Sequence, residues 1–433
     1  MWHPRSKVFV AALALSLVAA ACAPREGDDI GSPIFNGTTP EGEIVEPPIS
    51  TLPAPTINAI RVPVDAGSIQ EAVDRAQPGD LVLVDPGIYT EQVTVRTPDI
   101  VIRGRNRNTV FVDGLHEIGT GFTVLADGVA LENMTVRNYT ADAIVVDGTA
   151  GPARNRFRAL HITTSNSDGS GIALRSVTNA EVRQGWFSGH GDAGVSVESC
   201  ANCSTLITLS LAEFSARGFS ITGASEGVTV FASTSRNNRA GIIIEDGDQP
   251  SSGVTIAGTL IQNNGFTQSP NNTDAWDTFF GVGAQIGGTF ATTLTANRVV
   301  GNTRAGVLLT QSLLATSNDP VGTNVSNNII VDHPEGDVVL AAANGIADPG
   351  LCILDNVGAV LSPEGVAAAS TCTESNTAAP ISVWSGGPRD SIPHQNVQIP
   401  PEIDGMANPD SEPPTPAGPV QLPDPSSAVV PDA

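Results

Sequence analysis

Six charged side chains recur at one place in the chain's repeating units. Asp142, Asp168, Asp192, Arg217, Arg239 and Arg304 each fall one to three residues before a small residue that is followed by an aliphatic or aromatic one, and His190 lies beside Asp192. If consecutive units stack as strands, Asp168 and Asp192 come within roughly 5 Å of each other along the stack. Carboxylates that close share a proton, bind Ca²⁺, or serve as acid and nucleophile in glycoside hydrolysis. Arg217 and Arg239, one and two units further on, would hold a substrate carboxylate or stabilise the enolate formed in uronate β-elimination or epimerisation. The candidate catalytic set is therefore Asp168, Asp192, His190, Arg217 and Arg239, with Asp142 and Arg304 as substrate-binding flanks. A plainer origin stands beside this one. Asp-Gly and Asn-Arg turn well wherever a chain folds back, and an Asp-to-Arg gradient is also what a solvated salt-bridge ladder looks like.

The other titratable groups offer less. His161 falls at a strand edge, His116 in the turn after Val112-Asp-Gly114, and His333 in the turn Asp332-His333-Pro334. Tyr139, near Asp142, would need strong activation to act as a base from an ordinary pKa near 10. Lys7 is the only lysine, so cationic work falls to arginine or histidine. No Ser-His-Asp arrangement or nucleotide loop is present.

The elements that must position these groups come from the repeat itself. Its marks are Ala143-Ile144, Gly171-Ile172, Gly194-Val195, Gly218-Phe219, Gly241-Ile242, Gly283-Ala284 and Gly306-Val307; from Gly171 the steps are 23, 24, 23, 42 and 23 residues. Alternating strand formers surround each mark. A fixed period of this size predicts a solenoid, whose units bury their apolar faces only by stacking. The 42-residue step places an excursion at about 266–280, carrying Trp276, Phe279 and Phe280 in a chain that is 4% aromatic. Such a loop is a ligand-binding candidate, with Trp276 stacking on a sugar ring; alternatively, the two phenylalanines begin the next rung. Upstream, Ser68 with Glu71 forms a capping box, and Ile69, Ala72, Val73 and Ala76 share one helical face.

The run SIQEAVDRAQPGDLVLVDPGIYTEQVTV, followed by VIRGRNRNTVFVDG, resembles the opening of pectin-lyase-like right-handed parallel β-helix proteins. Later units such as Asn237-Asn-Arg-Ala-Gly241-Ile242 resemble that family's generic repeat. The resemblance covers roughly residues 57–358. It implies an all-β, single-stranded right-handed parallel β-helix whose N-terminal end is capped by the helix, with Asn138, Asn166, Asn238 and Asn264 near corresponding turns where side-chain amides could stack. It says little of activity, since the fold hosts lyases, hydrolases, esterases, epimerases and adhesins. Asn166-Ser-Asp168 and Gly189-His-Gly191 are similar to two polygalacturonase motifs. That family's paired aspartates and Arg-Ile-Lys motif are missing, as is the alginate-epimerase signature Asp-Pro-His-Asp.

The ends of the chain speak to location. Arg5, Lys7, an apolar run from Val8 to Val18 and Ala19-Ala20-Ala21 read as a signal peptide over 1–21, with a run too short to span a bilayer. Ala-Ala-Ala-Cys22 resembles a bacterial lipobox, which implies acylation of Cys22 and an extracytoplasmic, membrane-anchored protein; ordinary secretion is the alternative. Residues 22–56 read as a disordered tether, 57–358 as the β-helix and 359–433 as a C-terminal extension. From Asn376 that extension holds 13 prolines and seven acids against one arginine, Arg389, and is expected to be a solvated tail. Cys200, Cys203, Cys352 and Cys372 suit disulfides in an exported chain, most locally as Cys200–Cys203 and Cys352–Cys372.

A formal net charge of −24 argues against nucleic acid as a partner. The sequence as a whole points to a monomeric, lipid-anchored protein that binds or processes polysaccharide, by lyase or epimerase chemistry if catalytic. It needs no obligatory cofactor, and Ca²⁺ is a candidate one. A non-catalytic adhesion or envelope-organising protein is the alternative.

Overall fold

Stacking requires each unit to deliver strands to the same sheets in the same order. Arg158–Leu160, Thr163–Ser165 and Ile172–Arg175 are followed by Glu181–Arg183, Trp186–Ser188 and Ala193–Glu198, then by Thr205–Thr208, Leu211–Glu213 and Arg217–Thr222. These strands pair in parallel with their counterparts one turn on, in sheets of 12, 11 and 10 strands. The computed structural model describes residues 59–247, 249–312, 318–341, 350–363, 390–411 and 420–432, with positions 366, 372, 384 and 387. The fold is an all-β, right-handed parallel β-helix of about 12 turns. The export segment, the tether and Cys22 lie outside the described residues.

The repeat marks fall in one register. Ile144, Ile172, Val195, Phe219, Ile242, Ala284 and Val307 are successive partners along the 11-stranded sheet, and all are fully buried. Space explains the glycine before them. A Cβ on Gly194 would stand 2.7 Å from the carbonyl oxygen of Gly218, and one on Gly241 2.2 Å from that of Gly283. The long step is an excursion: Ala240–Glu245 pairs directly with Val282–Gly287, Thr255–Ala257 and Leu260–Gln262 keep their places in the other two sheets, and the extra residues leave the coil after Gln262 and rejoin it at Val282. Phe279 and Phe280 are buried at its foot, and Phe279 packs with Ala240, Ile243 and Val282. The phenylalanines thus lie at the end of the excursion, just before the strand Val282–Gly287, and pack against the coil. The Trp276 side chain lies outside the described set.

Helix α1 (Ile69–Arg75) starts where the capping signal places it. Ser68 Oγ accepts the Glu71 N–H at 3.1 Å, while the Glu71 carboxylate reaches Gly67 N–H at 2.7 Å. The open N–H groups of Ile69 and Gln70 donate to Glu91 at 3.0 and 2.9 Å, a use of the orphan donors at a helix start. Its buried Ile69, Ala72 and Val73 pack against the first-turn strands Ala59–Val62, Leu81–Val84 and Val93–Val95.

Inside the turns run two polar ladders. In one, His190 N–H donates to Ser215 Oγ, Ser215 N–H to Asn238 Oδ1, Asn238 N–H to Asn264 Oδ1 and Asn264 N–H to Asn302 Oδ1, at 3.0–3.1 Å. Asn302 Nδ2 then meets His333 Nε2 at 3.0 Å. The other ladder passes through Ser210, Ser233, Thr259, Asn297, Asn328 and Asn356. Asn238 and Asn264 stack as expected. Asn138 and Asn166 instead take left-handed φ of 61° and 55° and point elsewhere, Asn138 to Asp113 and Asn166 to the C-terminal segment.

One part of that segment is placed against the coil. Residues 390–411 lie along the coil, running from its later rungs back towards its first, with no strand among the described residues. They are held mainly by side-chain donors, with Val397 as a buried apolar contact, whereas composition gauges apolar burial alone. Cys200 pairs with Cys203 and Cys352 with Cys372.

Candidate functional site

Register divides the six charged residues. Arg217 pairs with Ala193 and Ala240 in the sheet, so Asp192 and Arg239 sit one position earlier on their rungs. Asp168 sits a further position back. They do not form one column. Asp192 and Arg217 do meet, as an ion pair between adjacent rungs, with Ser170 Oγ donating to the other Asp192 oxygen at 2.7 Å. Arg217 is buried. Burial pushes its guanidinium down to about 9.

Asp142 accepts from Ser170 N–H and from Arg175 at 2.8 and 2.9 Å. Arg239 lies under the excursion, 2.7 Å from Asp277 and below the Phe280 ring, and it also donates to the Asp390 carbonyl. Arg304 pairs with Glu335 at 2.7 Å and stacks 3.9 Å from the Trp384 ring centroid. Each of these charged groups thus has its own ion-pair partner.

His190 corrects the candidate set most directly. It has 0% exposure, its Nε2 meets Thr164 Oγ1 at 2.8 Å, and burial pushes it down to about 3. An imidazole sealed in the turn ladder has no route to a surface substrate. His333 is its counterpart at the far end, 2.6 Å from Asp337.

Asp168 is different, with a side chain 49% exposed. Asn272 of the excursion donates to its carbonyl at 2.9 Å. Its carboxylate lies 3.3 Å from Nδ1 of His394, a residue of the C-terminal segment, and the His394 ring lies 5.4 Å from that of His116. Burial lowers both imidazoles below the ordinary histidine value, and Asp168 opposes this at His394. His116 Nδ1 and His394 Nε2 have no hydrogen-bond partner among the described residues. Among the described residues no group of three or more His, Cys, Asp or Glu is placed to hold a metal ion.

The seat of the C-terminal segment is the other polar feature of this face. Asn166 Nδ2 donates to the carbonyls of His394 and Val397, both at 2.8 Å. Asn108 exchanges two bonds with the Ile403 backbone, at 2.8 and 3.2 Å. Arg107 gives Nε and Nη2 to the Asp404 carbonyl, the former at 2.8 Å, and Nη1 to the Gln184 carbonyl at 3.0 Å. Arg103 reaches the carbonyls of Pro409 and Ser411 while paired with Glu132 at 2.6 Å. Arg107 is 5% exposed and has no carboxylate partner among the described residues. Burial pushes its guanidinium down to about 10, against the pull of Asp404.

Neither Arg107 nor His394 stands out in the sequence. Arg107 lies before the first repeat mark, in a turn of ordinary composition, and His394 is a lone histidine in a segment whose acids and prolines suggest solvent.

No protein-family model matches the chain, and neither does any curated protein. Solved structures do. A mannuronic acid-specific family 6 polysaccharide lyase from human gut microbiota shares 15% identity over 62% of this chain and 62% of its own, with a TM-score of 0.46. A pectate lyase shares 15% over 69% and 72%, with a TM-score of 0.39. A periplasmic alginate epimerase shares 14% over 71% and 80%, with a TM-score of 0.40.

Proposed function

We propose that this is an extracytoplasmic β-helix protein, anchored through lipid on Cys22, that binds polysaccharide along the lateral face running from Arg103 to Asp168. The observation that carries this reading is the seat itself. Arg103, Arg107, Asn108 and Asn166 grip an extended chain through donors aimed at its acceptors, which is how an acceptor-rich linear polymer is held. Arg107 in particular offers a guanidinium fork that a substrate carboxylate would pair with bidentately.

Proton transfer is the chemistry within reach. Asp168 meets solvent, and a neutral imidazole at His116 is a proton acceptor near neutral pH. Base abstraction followed by elimination or epimerisation suits such a set. The second reading, binding without turnover, is favoured by one observation: the guanidiniums that would stabilise an enolate, Arg217 and Arg239, are already engaged by Asp192 and Asp277. Ca²⁺ is a candidate additive for a carboxylate-bearing substrate, and a monomer is the working unit.

The test is titration of the full mature protein with uronate-containing and neutral glycans, with and without Ca²⁺. Ultraviolet absorbance follows unsaturated products. Arg107→Gln should weaken binding of uronate polymers by about tenfold or more, the worth of a charged hydrogen-bonded contact. Asp168→Ala should abolish any turnover while leaving that affinity near its original value. Equal affinity in wild type and Arg107→Gln would sink the assigned face. Cys22→Ser should move the protein from the membrane fraction to the soluble one.

A further inference from the structure

The C-terminal segment occupies the very face proposed to hold polymer. Its contacts differ in kind from those inside the coil. Coil rungs meet through continuous parallel ladders, whereas residues 390–411 form no strand among the described residues. They are held mainly by coil side chains donating to their carbonyls, at Asp390, His394, Val397, Ile403, Asp404, Pro409 and Ser411. Asp410 adds a carboxylate on Arg105. Chemically this is an extended, acidic, acceptor-rich chain on a row of arginines and asparagines.

The fit is also incomplete. A groove open to solvent, about 220 Å³ in volume, remains between Gln398–Pro401 and the coil residues Trp186, Glu213, Phe214 and Arg236. The segment lies over the coil at this point without filling the space beneath it. Two points fit closely. Val397 is buried over Gly189, where a Cβ would stand 2.8 Å from its own Cβ, and a Cβ on Gly405 would stand 2.5 Å from Asn133 Oδ1.

We propose that residues 390–411 are a displaceable strap, an intramolecular competitor that holds the binding face shut until an acidic polysaccharide takes its place. The proposal rests on the polysaccharide reading of this face. A strap tethered to its own coil competes at an effective concentration on the order of millimolar. Polymer must therefore overcome it, and weak binding by the intact protein is the expected result. Pro393, Pro400, Pro401 and Pro409 keep the strap extended when released, so it re-docks with little ordering to do.

The test uses the full mature chain and two substitutions confined to the strap, Val397→Asp and Gly405→Leu. Each removes a close fit and leaves every coil donor untouched. Polygalacturonate and alginate are the probes, with affinity read by calorimetry and strap occupancy by hydrogen exchange of residues 390–411. Both variants should exchange faster over the strap and bind polymer at least about tenfold more tightly. In the wild type, saturating polymer should raise exchange over the same residues. Unchanged protection of the strap in wild type saturated with polymer overturns the proposal and leaves the polysaccharide reading standing. So does polymer affinity in the loosened variants that is no better than that of wild type. Loss of binding on loosening would make the strap part of the site, which also overturns it. Silence of every form towards both polymers removes the polysaccharide reading, and the strap's role as competitor with it.

Discussion

Replacing His190 with glutamine should make the coil's stability less sensitive to acid. The imidazole is fully buried, joins Thr164 Oγ1 at 2.8 Å, and is pushed by burial from 6.5 down to about 3. Its folded-state pKa is depressed, so between those values the unfolded chain binds a proton that the folded chain refuses. The stability it contributes is whole above pH 6.5 and is lost as pH falls towards 3. Near pH 4 the gap is about 2.5 pH units, or roughly 3 kcal/mol at 1.36 kcal/mol per unit. With roughly 300 residues in the coil and about 2.1 cal/mol/K of unfolding entropy per residue, that corresponds to roughly 5 °C of melting temperature. Glutamine keeps an amide near Thr164 and carries no titratable proton. Scanning calorimetry of both proteins near pH 7 and near pH 4, at one scan rate, isolates the contribution. His161, pushed down to about 4 mainly by burial, weakens both proteins alike and cancels. A melting temperature that falls equally in both would mean His190 accepts its proton without unfolding, and the ladder assignment would be wrong.

Two further substitutions probe what holds the coil. Arg103→Met leaves Glu132 buried and unpaired, and should cost about 3–5 kcal/mol; adding Glu132→Gln should recover much of it, and no recovery in a double-mutant cycle would mean the pair is not the source. Asn264→Ala removes the acceptor for Asn238 N–H and the donor to Asn302 Oδ1. At about 1–3 kcal/mol for each buried group left unsatisfied, it should lower the melting temperature more than Asn263→Ala at its exposed neighbour, and equal effects would count against the ladder.

The coil was legible because its determinants are local and periodic. Gly171, Gly194, Gly218, Gly241, Gly283 and Gly306 each face a carbonyl of the next rung, so spacing alone reveals the register. The helix start at Ser68 and the amide stacking of Asn238 on Asn264 were readable for the same reason. The candidate site was not, because a one-residue shift in register decides what a charged residue meets. Arg217 and Arg239 sit before successive repeat marks, yet one occupies the position of Ala193 and the other lies beside it. Nor does a pattern count include depth: His190, a catalytic candidate by its place beside Asp192, is the interior end of a ladder. The strap was hidden for a third reason. Its anchors, Asn108, Asn166 and Arg107, are separated from their partners by more than 220 residues, a distance over which sequence carries no periodic signal.

The source of each arginine's partner then becomes the useful distinction on this surface. Arg137 pairs with Asp113, Arg217 with Asp192, Arg236 with Glu213 and Arg304 with Glu335, all carboxylates one rung away. Such partners are built into the coil, and a ligand could claim the guanidinium only by stranding a carboxylate, at several kcal/mol when buried. Arg107 carries no such obligation among the described residues. Its acceptors are carbonyls, two of its three bonds run to the strap, and exchanging them for a ligand's oxygens strands nothing inside the coil. In a protein with 45 acids against 21 basic residues, most guanidiniums are neutralised from within. An exchangeable one is therefore the stronger mark of a binding face, and Arg107 marks the same face on which Asp168 reaches solvent.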